Sequence, residues 1–183
     1  NSTVFGGIAG DTIAKDIKPG ATLIDPDQDA IEAAVRLCCQ PLERPAAKID
    51  QVRTKLWDHM WEDAGIVRDA DSLARAVVTL DELDAELDTI GVADDNLAYN
   101  LTWHDWLNLK NLILVSKSVV AAATAREDSR GAHFRADFPD VRDLENSTYT
   151  VVRMKDGNIT LGTEPVDFAR VKPGQSLLDD SAA

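Results

Sequence analysis

Cysteine is nearly absent from this 183-residue chain: Cys38 and Cys39 are adjacent and alone. Two neighbouring thiols offer neither a disulfide framework nor a C-x-x-C motif, so a reducing compartment, the cytoplasm, is expected. Histidine is equally scarce, at positions 59, 104 and 133, with no metal-ligand spacing among them; no metal site is expected. Long apolar runs are missing too. The most apolar stretch, Trp103 to Ala125, is broken by His104, Asp105, Asn108, Lys110, Asn111 and Lys117. It falls short of the ~20 apolar residues that cross a bilayer, which excludes a direct membrane span. Nor is there a basic excess: 19 Lys and Arg face 32 Asp and Glu, a net charge of −13. Without a basic stripe there is nothing to neutralise phosphates, and nucleic acid is excluded as a partner. An initiating Met and a signal-peptide pattern are both lacking.

What remains is 44% hydrophobic and helically patterned, enough to bury one good core. Residues 1–17 read as a helix capped by Ser2 or Thr3. Gly6, Gly7 and Gly10 lie inside it, each costing about 1 kcal/mol against Ala, which suits close approach of another backbone or a ligand. After a loop at Pro19-Gly20 and Asp25-Pro26, a helix is expected over 27–40, with Ile31, Ala34, Val35 and Cys38 on one face and Pro41 ending it. Three long amphipathic segments follow. Over 45–63 the apolar positions are Ile49, Val52, Leu56 and Met60, with Gly65 as the stop. Over 70–90 they are Leu73, Val77, Leu80, Leu83, Leu87 and Ile90, started by Asp69 or Asp71 and ended by Gly91. Over 103–127 a wider stripe runs through Trp103, Trp106, Leu109, Leu112, Ile113, Val119 and Val120. Three apolar faces of similar length predict a mainly α fold, an antiparallel three-helix bundle of the spectrin-repeat kind. Trp57, Trp61, Trp103 and Trp106 are expected to pack inside it. His59 and His104 are expected at its surface.

Beyond Gly131 the helical period stops. Ser147 to Met154 alternates and is β-branched, Lys155-Asp156-Gly157-Asn158 is a turn, and Ile159-Thr160-Leu161 resumes the alternation. A small C-terminal β-hairpin is expected over 147–163, followed by a tail from Val171 that is expected to be disordered at its Asp-Asp-Ser end.

The stretch R-E-D-S-R-G-A-H-F-R-A-D-F-P, Arg126 to Pro139, carries the most information. It resembles the R-x-E-S-R-G-A-H-x-R-x-D-[FY]-P signature of the succinate dehydrogenase/fumarate reductase flavoprotein family. Arg126, Ser129, Arg130, Gly131, Ala132, His133, Arg135, Asp137, Phe138 and Pro139 match in register, and Asp128 stands where the family has Glu. Asn1-Ser2, Val4-Phe5-Gly6 and Ala9-Gly10 are similar, less faithfully, to the family's N-S-x-x-[DE]-x-[VL]-[VF]-G-x-x-A-G segment.

The resemblance implies an organisation. Residues 1–26 would close the FAD-binding domain as a helix plus linker, 27–130 would form the helical domain, and 131–183 the signature loop, hairpin and tail. Asn1, Ser2 and Thr3 would touch FAD, mainly through backbone N–H groups at a helix start, where partial positive charge stabilises the reduced flavin. The family's substrate arginine and other catalytic residues precede this Asn, so no catalytic residue is expected in this segment. Opening at Asn1, inside a motif, it reads as part of a longer protein, and by itself it is expected to be inert and to hold no FAD. Its partners would be its own FAD-binding domain and an iron–sulfur subunit, through which a cytoplasmic protein becomes membrane-associated.

Chemistry alone offers two readings of the signature. Arg126, Arg130, His133 and Arg135 form a cationic cluster able to clamp a carboxylate. Alternatively Arg126, Ser129, Arg130, His133, Arg135 and Asp137 are domain-interface residues, with the arginines tying the loop to helix ends and to the flavin domain through Asp128 and Asp137. The structural reading is preferred. For the parent, hydride transfer between FAD and a dicarboxylate is expected. The alternatives are an L-aspartate oxidase-like or adenylylsulfate reductase-like flavoprotein, or a stand-alone acidic helical interaction module.

Overall fold

The structure is a computed structural model that describes residues 2–17, 20, 22 and 24–175. Asn1 and the acidic end of the tail lie outside the described residues. The chain divides between Cys38 and Cys39 into two compact units. The first holds helix α1, Ser2–Asp16, and all but the last residue of helix α2, Gln28–Cys39. No residue of either helix is buried. Ser2 already lies within α1, so neither Ser2 nor Thr3 is the residue preceding its first turn. Asp27 starts α2 by accepting from the Ala30 amide at 3.1 Å.

The second unit contains three long helices: α3, Ile49–Ala64; α4, Ala70–Leu87; and α5, Leu101–Ala125. A short 3₁₀ turn, Gln40–Leu42, precedes them. The core residues recur at alternating spacings of three and four, with the buried Ser116 standing between Ile113 and Val120. They are Ile49, Val52 and Leu56 on α3, then Leu73, Ala76, Leu80, Leu83 and Leu87 on α4, and Trp106, Leu109, Ile113, Val120 and Ala123 on α5. A seam this narrow suits helices packed side by side. Helix α4 packs extensively on both α3 and α5, while α3 and α5 touch each other less. Two of the three starts carry a side-chain cap. Asp69 and Ser72 form a reciprocal capping box for α4, with Ser72 N–H donating to Asp69 Oδ1 at 2.7 Å. Asn100 Oδ1 accepts from the Trp103 amide at 2.9 Å to begin α5.

Several expectations are corrected here. Trp57 and Trp61 are 59% and 68% exposed, so only Trp106 is buried and Trp103 packs at the edge of the core. The wide stripe of α5 does not form: Leu112 and Val119 stay exposed, as does Val77 on α4, because the seam admits one residue per turn. Gly91 does not end α4, which stops at Leu87. Its N–H donates to the Pro45 carbonyl at 2.8 Å, and a Cβ at Gly91 would stand 2.1 Å from the Arg44 carbonyl oxygen. Close approach of backbones, not helix termination, is what requires a glycine there.

Beyond α5 lies a sheet that the sequence did not announce. Strand β1, Val67–Arg68, pairs in parallel with strand β2, Phe134–Arg135. The expected hairpin forms from β3, Thr148–Lys155, and β4, Asn158–Pro165, antiparallel and in register from Lys155↔Asn158 outward. Both central turn residues have positive φ, 51° at Asp156 and 77° at Gly157, the twist-matching geometry for which Asp-Gly is suited. The protein is mainly helical, with this small hairpin resting on α5.

Trp106 anchors the core. It is fully buried, and its Nε1–H donates to the Ile90 carbonyl at 2.9 Å. Trp106→Phe is expected to lower the unfolding free energy by about 1–3 kcal/mol, because that buried carbonyl loses its donor. Urea unfolding measures the change, and an unaltered midpoint would contradict this role.

Candidate functional site

The signature loop is built outward from the end of α5. Arg135 is 2% exposed. Its Nη1 donates to the carbonyls of Ala123, Thr124 and Arg126 at 2.9, 3.2 and 3.3 Å, covering the unpaired end of the helix. Its other edge grips Asp137 in a fork, Nε to Oδ1 at 2.7 Å and Nη2 to Oδ2 at 2.6 Å. Asp137 Oδ2 in turn accepts from the Ala70 amide, the first residue of α4, at 3.0 Å. A cation thus sits at a helix C-terminus and an anion at a helix N-terminus, each with the favourable sign for the local dipole. The hydrogen bonds from Arg135 hold the Asp137 carboxyl at about 2, well below the ordinary 3.8.

Ser129 staples the loop to itself. It is buried, accepts from the Arg135 amide at 2.9 Å and donates to the Phe138 carbonyl at 2.8 Å. Arg130 and His133 exchange both backbone hydrogen bonds, at 2.8 and 2.9 Å, around a two-residue turn. Gly131 has φ +55° there, as a turn with glycine in its first central position requires.

Asp128 gathers two guanidiniums. Arg126 reaches its Oδ1 at 2.7 Å and Arg130 its Oδ2 at 3.0 Å. Every nitrogen of Arg130 is engaged: Nε with the Val141 carbonyl, Nη1 with Ser147 Oγ, and Nη2 with the Asp143 carbonyl, at 2.7 to 2.9 Å. Arg130 therefore ties the loop to the chain entering the hairpin; the helix-end tie belongs to Arg135. The arginines gather as the sequence predicts, yet their donors are turned inward. A carboxylate clamp needs a guanidinium edge free to meet its ligand, and neither Arg130 nor Arg135 offers one.

His133 occupies the seam between this loop and the α3 end. Its Nδ1 lies 3.0 Å from Arg68 Nη1, and its Nε2 is 3.4 Å from the Arg126 carbonyl. Burial first, then the charges of Arg68 and Arg126, hold its pKa below 6.5 against the raising effect of that carbonyl. Arg68 itself donates through Nε to the carbonyls of Ala64 and Gly65, closing α3 at 3.0 and 2.8 Å. Sequence reasoning passed over Arg68. Its partner is 65 positions away, and only the β1–β2 pairing reveals it.

The other candidate residues belong to the first unit. Ser2 and Thr3 open α1, whose first turn carries no acidic side chain. Gly6, Gly7 and Gly10 have open space where a Cβ would stand. Among the described residues, no group of three His, Cys, Asp or Glu is placed to hold a metal ion, and no helix is long and apolar enough to cross a membrane.

Comparison with known proteins agrees with the signature. Residues 53–177 match the family described as "Fumarate reductase flavoprotein C-term", and the chain belongs to the succinate dehydrogenase/fumarate reductase flavoprotein family. The fumarate reductase flavoprotein subunit of Mycobacterium tuberculosis is 31% identical over 156 residues, which are 81% of this chain and 27% of that protein. The L-aspartate oxidase of Streptomyces coelicolor is 34% identical over 133 residues, 73% of this chain and 22% of that protein. A quinol–fumarate reductase solved with menaquinol molecules shares the fold, with a TM-score of 0.76 at 24% identity over 93% of this chain and 30% of that one. The chain thus spans about a quarter of the length of the relatives it matches.

The Arg135–Asp137 pair yields a pH prediction. Because the folded carboxyl titrates at about 2 instead of 3.8, the unfolded chain binds a proton in that window which the folded chain refuses. Stability from the pair is full above pH 3.8 and is lost as pH falls toward 2. Urea midpoints across pH 2–6 should fall more steeply for the natural chain than for Asp137→Asn. Parallel curves would remove Asp137 from this account.

Proposed function

We propose that this chain is the C-terminal, helical part of an FAD-dependent oxidoreductase whose parent moves hydride between FAD and a dicarboxylate. The observation that carries the reading is the family match over 53–177, and the fumarate reductase subunit that is 31% identical over 156 residues supports the substrate class. We also read α3, α4 and α5 as an antiparallel, spectrin-repeat-like bundle, on the strength of their shared seam and the central place of α4.

FAD, when bound in the parent, supplies the hydride acceptor and donor. The start of α1 fits it: N–H groups of the first turn, no carboxylate to repel an electron-rich ring edge, and an open glycine face. Ser2 and Thr3 would hold it through backbone, with Asn1 beside them. The residues of this chain orient and support; the catalytic acids, bases and substrate arginine are assigned to the rest of the parent. Arg126, Ser129, Arg130, His133, Arg135 and Asp137 keep the ends of α4 and α5 and the loop in one arrangement, the surface offered to the flavin-binding domain. An iron–sulfur subunit is the further partner, and membrane association would come through it. A second reading, a four-carbon amino-dicarboxylate as substrate, is favoured by the 34% identity to L-aspartate oxidase. Turnover of the parent with fumarate, succinate and L-aspartate separates the two.

The isolated 183-residue chain is expected to purify colourless and to leave fumarate unreduced with a reduced viologen as donor. A yellow preparation with one flavin per chain would sink this division of labour.

Arg130 distinguishes support from substrate binding. In the full-length parent, Arg130→Ala is expected to lower the melting temperature or the FAD content while leaving the KM of the flavinated enzyme for its dicarboxylate nearly unchanged. A residue clamping substrate would instead cost about 1.5–3 kcal/mol in binding, roughly ten- to a hundredfold in KM, with flavin content intact.

A further inference from the structure

Arginine carries only donors, so the Arg68 Nη1 that lies 3.0 Å from His133 Nδ1 can be satisfied only by an unprotonated Nδ1. That fixes the tautomer. The proton of the neutral ring must sit on Nε2, the nitrogen that faces the Arg126 carbonyl at 3.4 Å, and the two contacts are mutually consistent. His133 is therefore a bolt with one end on the residue that closes α3 and the other on the residue that follows α5. Its backbone is held in the Arg130–His133 bridge, immediately before β2.

We propose that His133 is a proton-operated latch: neutral, it locks the signature loop to β1 and the end of α3, and protonation releases that lock. A second proton must enter at Nδ1, where it turns an acceptor into a donor directly opposite the donor of Arg68. The charges facing the ring are set against it. Arg68 approaches from β1 and Arg126 from the end of α5, while Asp128, the opposite charge in the loop, is already held by Arg126 and Arg130. The imidazolium gains no free counter-ion from these neighbours, and the ring and Arg68 must separate. The register Val67↔Phe134 and Arg68↔Arg135, closed by the Ala136 amide donating to the Arg68 carbonyl at 2.7 Å, is the pairing this separation loosens. The lowered pKa of His133 agrees in sign. The neutral form is favoured by folding, so the lock is complete above about pH 6.5 and weakens as pH falls toward the folded value. Between the two pKa values the locked-to-released ratio falls about tenfold for each unit of pH.

The test is imidazole nitrogen NMR of the full chain between pH 4 and 8, together with hydrogen exchange at the Ala136 amide corrected for its intrinsic pH dependence. The expected result is an Nε2–H tautomer, an apparent His133 pKa below 6.5, and Ala136 protection that falls as His133 titrates. Arg68→Met retains an aliphatic stem and should raise the His133 pKa toward its ordinary value. His133→Asn places a non-titrating acceptor near the Nδ1 position and should keep Ala136 protection flat over the same range, which a merely structural histidine would not predict. An Nδ1–H tautomer, a pKa at or above 6.5, a pKa unmoved by Arg68→Met, or equal acid sensitivity in His133→Asn overturns the proposal.

Discussion

Where α5 stops, the carbonyls of its last turn point into the protein without helical partners, and a single guanidinium takes up three of them. Arg135 can do so because its planar fork serves two directions at once: Nη1 toward the helix end, and Nε with Nη2 toward Asp137. Asp137 passes the connection on to the first amide of α4. Two helices that meet along an apolar seam are thereby also joined through their polar ends. The sheet pairing of β2 with β1 and the Ser129 staple are positioned by the same residue, since Arg135 is itself the β2 partner of Arg68 and the donor to Ser129 Oγ. Lysine at this position would supply a charge but not the two-sided geometry.

The signature therefore works as a knot of satisfied groups. Its arginines face carbonyls and the carboxylates Asp128 and Asp137, which explains why a chain with a net charge of −13 concentrates three arginines within ten residues. The cluster is neutralised from within, and its shape, more than its field, is what it contributes. This favours support of a neighbouring domain over capture of a substrate. The acidic excess lies elsewhere, partly in the belt where Asp84 meets Lys110 at 2.6 Å and Lys117 at 2.7 Å.

Much of this was legible without coordinates, for reasons that differ from element to element. Most seam residues of α3 and α4 were readable because helical period is a local property, though on α4 Ala76 holds the place given to Val77. The hairpin was readable because Asp156-Gly157 accepts a backbone that few other pairs tolerate. Asp69, one of the two acids read as starting α4, is its cap, while the reciprocal part of Ser72 showed only in the structure. Trp57 and Trp61 misled, since a large apolar residue at helical spacing looks the same whether its partner is the bundle or something outside it. Gly91 misled in another way: a glycine after a helix signals an end by habit, whereas here the Arg44 and Pro41 carbonyls crowd the space a Cβ would need.

The amino-acid sequence alone determined that this is a mainly helical, acidic flavoprotein segment with a signature of gathered arginines, because period, turn chemistry and motif are written in neighbouring residues. Only the tertiary structure decided what those arginines do. Arg68 and His133 are 65 residues apart, as distant as the strands β1 and β2 that bring them together. Whether a guanidinium faces a ligand or a helix end depends on which carbonyls folding leaves unpaired beside it, and no local pattern records that.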